Sequence, residues 1–331
     1  MAHSHRTPWL HRVFVAAVLI LTCALPLRAQ SGWDDRVGAQ ECCQPLLLHV
    51  GARGVALGNA LTARAGADAV FVNPAALARL ASDEFRVHTS ETEIETSTVF
   101  SLAFGIGGAG NVGVTYLLID YGEIPVTEQG PIPTGTLRLL NHALLASFAA
   151  TLAPGLSTGV TYRIYQERQD CRGTCTSRSS ATHGLDLGVQ FHPELWPALQ
   201  LGAAVIHVGP ALQVINAEQA DPAPVRVRAG AAYEVLHHFS ADTTTALWAS
   251  VDVTGSWRDG VEPAVAGGLE LVLDRTIYVR GGHATGSGRT AGSRVGVGLR
   301  YDRFDVGIAK AFAGGATGGQ DPYHITFAIG F

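Results

Sequence analysis

Apolar residues alternate with small or polar residues from about residue 84 to the last residue. In one segment, apolar positions alternate with glycine or arginine: Val295, Val297 and Leu299 against Arg294, Gly296, Gly298 and Arg300. A period of two places the two sets on opposite faces of a β-strand. Because the polar set carries charge and glycine while the apolar set recurs in many segments, the pattern predicts an apolar face toward lipid and a polar lumen.

The alternation divides this region into fourteen segments, which we predict to be antiparallel strands. Their approximate spans are 84–91, 97–105, 110–120, 141–152, 156–167, 183–192, 198–207, 225–234, 244–254, 263–272, 275–283, 293–301, 303–311 and 323–331. The odd-numbered connections are expected to be long and the even-numbered ones short, as in outer-membrane barrels. The sequence therefore predicts an all-β fold, a transmembrane barrel of about fourteen antiparallel strands over residues 83–331.

The N-terminal residues 1–30 have the organisation of a secretory signal peptide. Arg6 and Arg12 precede an apolar run from Val13 to Leu27, and cleavage is expected near Ala29. The alternative is an N-terminal membrane anchor. No later segment approaches the roughly 18 apolar residues of a transmembrane helix. An exported chain with 47% hydrophobic residues and no such helix favours a barrel in the bacterial outer membrane.

The last predicted strand carries aromatic residues at alternate positions. Tyr323, Phe327 and Phe331 share one face, and Phe331 is the final residue of the sequence. This arrangement is similar to the C-terminal signal by which barrels are recognised for insertion. We therefore expect outer-membrane lipid and the barrel-insertion machinery to be partners of the chain.

A motif precedes the first predicted strand, beginning Gly-Ala-Arg-Gly at residue 51 and ending Asn-Pro-Ala at residues 73–75. It resembles the N-terminal motif of the PorV/PorQ family of FadL-like outer-membrane barrels. The resemblance implies that residues 31–82 form a small hatch, or plug, inside the barrel. The hatch-motif residues are Gly51, Arg53, Gly54, Gly58, Asp68, Asn73, Pro74 and Ala75. The family has an acidic pair where this chain has Asp68 alone.

The residues of the motif also have a simpler interpretation. Asn73 can cap a short helix that begins at Pro74, and proline is favoured in the first turn of a helix. On that interpretation the Asn-Pro pair only fixes the turn into the first strand. The two interpretations differ in whether the segment positions a plug, and neither makes these residues catalytic.

The cysteines point to disulfides because an exported chain meets an oxidising compartment. Cys171 and Cys175 lie close together in a predicted external loop, and we expect them to form a disulfide. The alternative, a metal site with His183, has few ligands. Cys42 and Cys43 are adjacent, and the sequence leaves open whether they pair with each other or elsewhere. No cofactor, metal or catalytic site is predicted.

The predicted lumen contains nearly equal numbers of cations and anions, which favours a network of paired charges filling the barrel over a charge-selective pore. A sharper hypothesis is that Arg226 and Arg228 bind a ligand carboxylate. The whole chain has 23 Lys and Arg against 28 Asp and Glu, without a basic patch, so nucleic acid is not an expected partner.

Three functions are compatible with these features. The first is passive transport of hydrophobic small molecules across the outer membrane, with the hatch as gate. The second is a non-transporting interaction barrel that serves protein secretion of the type IX kind by binding secreted proteins. The third is a barrel-embedded enzyme, for which the sequence presents no recognisable catalytic set. A gap in the wall lined by apolar residues would favour transport, whereas a filled lumen with large ordered outer loops would favour partner binding.

Overall fold

The computed structural model describes residues 41–92, 95–128, 130–216, 218, 220–238, 244–257, 263–286, 291–312 and 322–331. The predicted signal peptide and the first residues of the predicted hatch lie outside these ranges. The described residues form fourteen strands in one closed antiparallel barrel, in which each strand pairs with its neighbours in sequence and β1 pairs with β14. The predicted all-β barrel is therefore confirmed.

The strands are β1 Glu84–Glu91, β2 Thr96–Gly105, β3 Asn111–Val126, β4 Gly135–Ala153, β5 Leu156–Gly173, β6 Arg178–Phe191, β7 Leu199–Val208, β8 Arg226–Glu234, β9 Ala246–Ser256, β10 Ala264–Leu273, β11 Ile277–Ala284, β12 Gly292–Tyr301, β13 Phe304–Phe312 and β14 Tyr323–Gly330. One short α-helix, α1, spans Ala52–Ala56. Short 3-10 helices span Gln44–Leu47, Ala67–Phe71, Pro74–Arg79, Gly107–Ala109 and Val235–His238. None of the described helices is long and apolar enough to cross a membrane.

The two faces of the sheet have opposite character, as β12 illustrates. Val297 is 52% exposed on the outer face, whereas Arg294 is 2% exposed on the inner face. Arg300, near the end of the strand, is more open and pairs with Asp305 of β13. The same alternation recurs along the other strands, so the outer wall is an apolar belt. Because such a belt is costly to expose to water, it is the surface that meets lipid.

Strands β3 to β6 are longer than their hydrophobic alternation predicts. The connection between β3 and β4 covers only residues 127–134, and that between β5 and β6 only residues 174–177. The expectation of two long loops at these places is wrong. Backbone pairing continues in both hairpins beyond the apolar belt, where polar side chains such as Arg138 and Arg168 take the place of the apolar ones on the outer face.

We expect Val297→Arg to impair folding into lipid vesicles. A guanidinium at the middle of the lipid face costs about 2–4 kcal/mol, and the cost falls toward the interface. The matched control is Tyr301→Arg, on the same face at the end of β12, where the side chain is 74% exposed. The measurement is the fraction of heat-modifiable folded protein after refolding. Equal losses in the two variants would contradict the assignment of the belt.

Candidate functional site

The segment from Glu41 to Leu80 lies against the inner face of the barrel. Helix α1 packs on β11 to β14, and the 3-10 helix Pro74–Arg79 packs on β3 to β6. These strand groups lie on different sides of the closed barrel, so the segment crosses the lumen. Most of its residues from Ala52 to Leu77 are buried.

A cluster of buried charges around Glu270 of β10 holds this segment. The Glu270 carboxylate accepts hydrogen bonds from Arg280 Nε at 2.7 Å, Arg64 Nη2 at 2.8 Å and Arg53 Nε at 3.1 Å. The side chain of Glu270 is only 4% exposed. The guanidinium of Arg64 also stacks on Trp248, with 3.9 Å between Cζ and the ring centroid. Since a single carboxylate faces three guanidiniums, the cluster depends on Glu270.

Asp68, the single acid of the hatch motif, ties the segment to β1. Arg86 Nη1 donates a hydrogen bond to Asp68 Oδ1 at 2.8 Å, and Arg86 Nε donates to Glu84 at 2.6 Å. Burial by itself raises the pKa of Asp68, but the surrounding positive charges, of which Arg86 contributes the most, together outweigh burial and hold this pKa below its ordinary value. The carboxylate therefore stays ionised and the pair stays intact at neutral pH.

Asn73 makes three hydrogen bonds although it is fully buried. Its Nδ2 donates to the carbonyl of Thr62 at 2.7 Å and to the carbonyl of Val189 on β6 at 3.0 Å. Its Oδ1 accepts from the backbone N–H of Ala75 at 3.0 Å, which caps the 3-10 helix that starts at Pro74. The motif residue thus joins two parts of the segment to the wall, as well as fixing the local turn.

The three glycines of the motif differ in their backbone conformation and in the space available for a side chain. Gly51 and Gly58 have positive φ angles of 78° and 65°, a conformation that other residues adopt at a cost. A Cβ on Gly58 would lie 2.9 Å from the carbonyl oxygen of His283 on β11. A Cβ on Gly54 would make only ordinary contacts, the nearest 3.5 Å from Asn59 Oδ1. Two of the three glycines are therefore required by backbone geometry.

Both arginines predicted to face a ligand have carboxylate partners in the chain. Arg226 binds Glu41 through Nη1–Oε1 and Nη2–Oε2 hydrogen bonds of 2.8 and 2.5 Å. Arg228 Nη2 donates to Asp252 Oδ2 at 2.9 Å, and Asp252 also accepts from the Thr62 hydroxyl at 2.6 Å. A ligand carboxylate at either arginine would have to displace one of these partners.

An apolar surface replaces the paired charges on the lumen side of β2 to β5, toward the end of the barrel that carries the extended hairpins. We call it the apolar chamber; its lining residues, all buried, are Val99, Leu117, Ile119, Ala143, Leu145 and Tyr165. The first part of the segment, Glu41–Val50, covers the chamber, and we call it the strap. It contributes Leu46, Leu48, Val50 and the adjacent Cys42 and Cys43, which a disulfide joins.

The wall is irregular beside this chamber, where β6 meets β7. Leu185 pairs with Val208 and Leu187 with Val205, so two residues of β7 face one residue of β6. His207 in this bulge has a positive φ of 65°. Beyond Leu185, toward Arg178, no pairing of β6 with a described residue of β7 continues. We call this interruption the seam.

The seam contains both a buried ion pair and a narrow cavity. Arg163 of β5 pairs with Asp186 of β6 and contacts the ring of His207. The cavity is lined by side chains of both faces of the wall. Leu46 and Tyr165 line it from the lumen, and His183 lines it from the exposed outer face. The cavity thus lies between the chamber and the outside of the barrel.

The remaining predicted residues lie away from the lumen. A disulfide joins Cys171 to Cys175 across the β5–β6 hairpin, with Cys171 in the strand itself. Tyr323, Phe327 and Phe331 are 54%, 40% and 69% exposed, respectively. Within the described ranges, no three His, Cys, Asp or Glu side chains come together as a metal site requires.

Several residues of these clusters, among them Glu41, Arg64 and Arg86, are not among those that the sequence pattern singles out. Arg86 occupies a lumen-facing position of β1, so period two is a signal that identifies it. Glu41 and Arg64 lie in an irregular segment where no period applies. Their partners are 185 and 206 positions away in sequence, so local spacing carries no sign of the pairing.

No family model matches the chain, and no curated protein matches it. The barrel is similar to the CymD monoaromatic hydrocarbon channel, with a TM-score of 0.59, 14% sequence identity and coverage of 86% of this chain and 98% of that chain. It is also similar to the toluene transporter TodX of Pseudomonas putida, with a TM-score of 0.58, 11% identity and coverage of 85% and 98%. At these identities the likeness establishes a shared barrel fold, and the PorV/PorQ assignment stays a prediction.

Proposed function

We propose that the chain is an outer-membrane barrel through which hydrophobic small molecules pass passively. Residues 1–30 are its signal peptide, residues 31–82 its hatch and residues 83–331 the barrel. The fold is shared with proteins named as a hydrocarbon channel and a toluene transporter, which supports this choice. The ion pairs of Arg53, Arg64 and Asp68 would hold the hatch in the lumen. No catalytic role is proposed for any residue.

The observation that carries the proposal is the cavity at the seam. It brings a lumen-side apolar surface, including Leu46 and Tyr165, close to the outer face at His183. A hydrophobic molecule gains free energy by leaving water for apolar surroundings, and lipid is such an environment. A passage at the seam would let it move from chamber to membrane past Arg163, which is paired with Asp186, without crossing the clusters around Glu270 and Asp68.

The experiment is uptake of radiolabelled toluene by a deletion strain complemented with variants of the chain. Ala223 lines the cavity, and Ala223→Trp would fill it. We expect wild type to restore uptake and Ala223→Trp to leave it near the level of the deletion strain. The control is Ala109→Trp in the exposed β2–β3 turn, which should restore uptake fully. Equal uptake with and without the chain would contradict transport.

A second candidate function has its own observation. Hairpins β3–β4 and β5–β6 extend beyond the apolar belt as ordered sheet, and the segment from Glu41 to Leu80 occupies the lumen. These are the features of an interaction barrel that binds secreted proteins, as the PorV/PorQ resemblance implies. The same deletion strain distinguishes the two functions. Loss of particular proteins from its culture medium, with toluene uptake unchanged, would favour the secretion role.

A further inference from the structure

The apolar chamber is unusual for its place in the barrel. Lumen-facing positions elsewhere carry buried ion pairs, such as Glu270 with Arg280 and Asp252 with Arg228. Leu117 and Ile119 occupy equivalent lumen-facing positions on β3 and are 4% and 0% exposed. Barrel lumens that hold water are polar. An apolar lumen surface therefore needs an apolar occupant to keep water from it.

The strap supplies part of that occupant in this structure, together with Leu212, Val214 and Phe71. It places Leu46, Leu48 and Val50 on the chamber. These apolar side chains contact the chamber as a bound apolar ligand would, although they belong to the chain itself. The seam cavity, also lined by Leu46 and by Cys43 of the strap, continues from the same place toward the outer face.

Few polar contacts tether the strap to the barrel wall and its loops. Glu41 binds Arg226 and accepts a 3.4 Å hydrogen bond from the Ser256 hydroxyl, and the backbone N–H of Cys42 donates to the carbonyl of Pro222 at 2.9 Å. The segment after the strap is held very differently, by the buried ion pairs of Glu270 and Asp68 with four arginines. The strap can therefore leave the chamber at a much smaller cost than the rest of the segment.

We propose that the strap is an exchangeable occupant of the chamber, and that an uncharged apolar molecule binds there when the strap leaves. The Glu41–Arg226 ion pair, which we call the latch, holds the strap in the chamber. Its strength therefore determines how readily a ligand can take the place of the strap. The inference rests on the proposed transport function and names the site and the substrate class. Arg163, the cation at the edge of the chamber, is already paired with Asp186. A ligand carboxylate would have to give up its water among apolar side chains, which is unfavourable without a counter-charge.

The test is equilibrium binding of naphthalene, followed by its fluorescence, to the purified full-length chain in lipid nanodiscs. Arg226→Glu places two carboxylates at the latch and should release the strap. The apparent affinity for naphthalene is reduced in proportion to the fraction of chambers that the strap leaves open. Because the Glu41–Arg226 pair is largely buried, its loss should raise this affinity at least about fivefold. Adding Glu41→Arg restores an ion pair of reversed polarity and should return the affinity to that of wild type. The anion 2-naphthoate should bind at least about tenfold more weakly than naphthalene in every variant.

Two controls keep the test specific. Arg138→Glu breaks an exposed ion pair with Asp120, away from the strap, and should leave naphthalene binding unchanged. Leu145→Asp places a charge in the chamber and should abolish the gain from Arg226→Glu. Glu41→Gln removes the latch without a change of shape, and it replaces Arg226→Glu as the test if that variant does not fold.

Several results would overturn the inference. They are an unchanged affinity on loss of the latch, a gain that persists with Leu145→Asp, and naphthoate binding as tight as that of naphthalene. The toluene-uptake experiment is separate from this one. Restored uptake by wild type together with no effect of the latch would reject the exchange mechanism and leave transport in place. Absence of uptake would reject the proposed function itself.

Discussion

Replacing Glu270 with glutamine is expected to destabilise the folded barrel by about 3–5 kcal/mol, the usual cost of removing one partner from a buried ion pair. The substitution keeps the shape of the side chain and removes its charge. Arg53, Arg64 and Arg280 would then face each other in the lumen without a carboxylate among them. Two of these guanidiniums belong to the segment from Glu41 to Leu80, so repulsion should also push that segment away from β10.

Urea unfolding in detergent, followed by heat-modifiable gel mobility, measures this effect. The control is Asp170→Asn, which removes the acid from the exposed pair with Arg168. Exposed pairs contribute about 0–1 kcal/mol, so its midpoint should stay close to that of wild type. Similar midpoints for Glu270→Gln and Asp170→Asn would mean that the cluster does not hold the segment in the lumen.

The strands were predictable because each has one face toward lipid and one toward the lumen. That difference imposes period two on the side chains, and β1 follows it from residue 84 to residue 91 as predicted. The ends of β3 to β6 were not predictable in the same way. Above the apolar belt the outer face carries polar side chains such as Arg138 and Arg168, so the contrast between an apolar outer face and a polar lumen is lost there, while backbone hydrogen bonds continue to hold the hairpins.

The candidate site was predictable only in part. Period two placed Arg228 and Asp252 on the lumen side, and the near balance of charge favoured pairing over a selective pore. The partners themselves depend on long-range closure, since Arg53 and Glu270 are 217 positions apart. The seam was not predictable either. The bulge at His207 depends on the register between β6 and β7. The sequence of one strand does not reveal its register with the neighbouring strand.

Glycines on the inner wall point to where the segment from Glu41 to Leu80 packs. Gly188 of β6 lies on the lumen face, beside Asn73 and Pro74. Gly282 of β11 also lies against the backbone of this segment, on another side of the barrel. A Cβ on Gly282 would lie 2.5 Å from the carbonyl carbon of Leu57. Sequence alternation marked such positions as small and lumen-facing. It could not say that a second backbone would come so close to them.

Gly188→Val is therefore expected to have a large effect. Its Cβ would overlap Asn73 Oδ1 and lie 2.9 Å from Pro74 Cδ, so the segment must move away from β6. The move breaks the hydrogen bond from Asn73 to the Val189 carbonyl. Overpacking and the lost bond together should cost about 3 kcal/mol or more. A displaced segment should also open the lumen to small polar solutes.

Two measurements test this expectation: the urea midpoint, and the swelling rate of proteoliposomes in a small sugar. The control is Gly255→Val, also on a strand, where a Cβ would meet no atom within 4 Å. It should change neither quantity, because β-branched residues suit strands and the position is open. A lower midpoint with faster swelling for Gly188→Val alone is the result that the contact requires. If both variants behave like wild type, Asn73 and Pro74 do not pack on β6, and this contact does not hold the segment in the lumen.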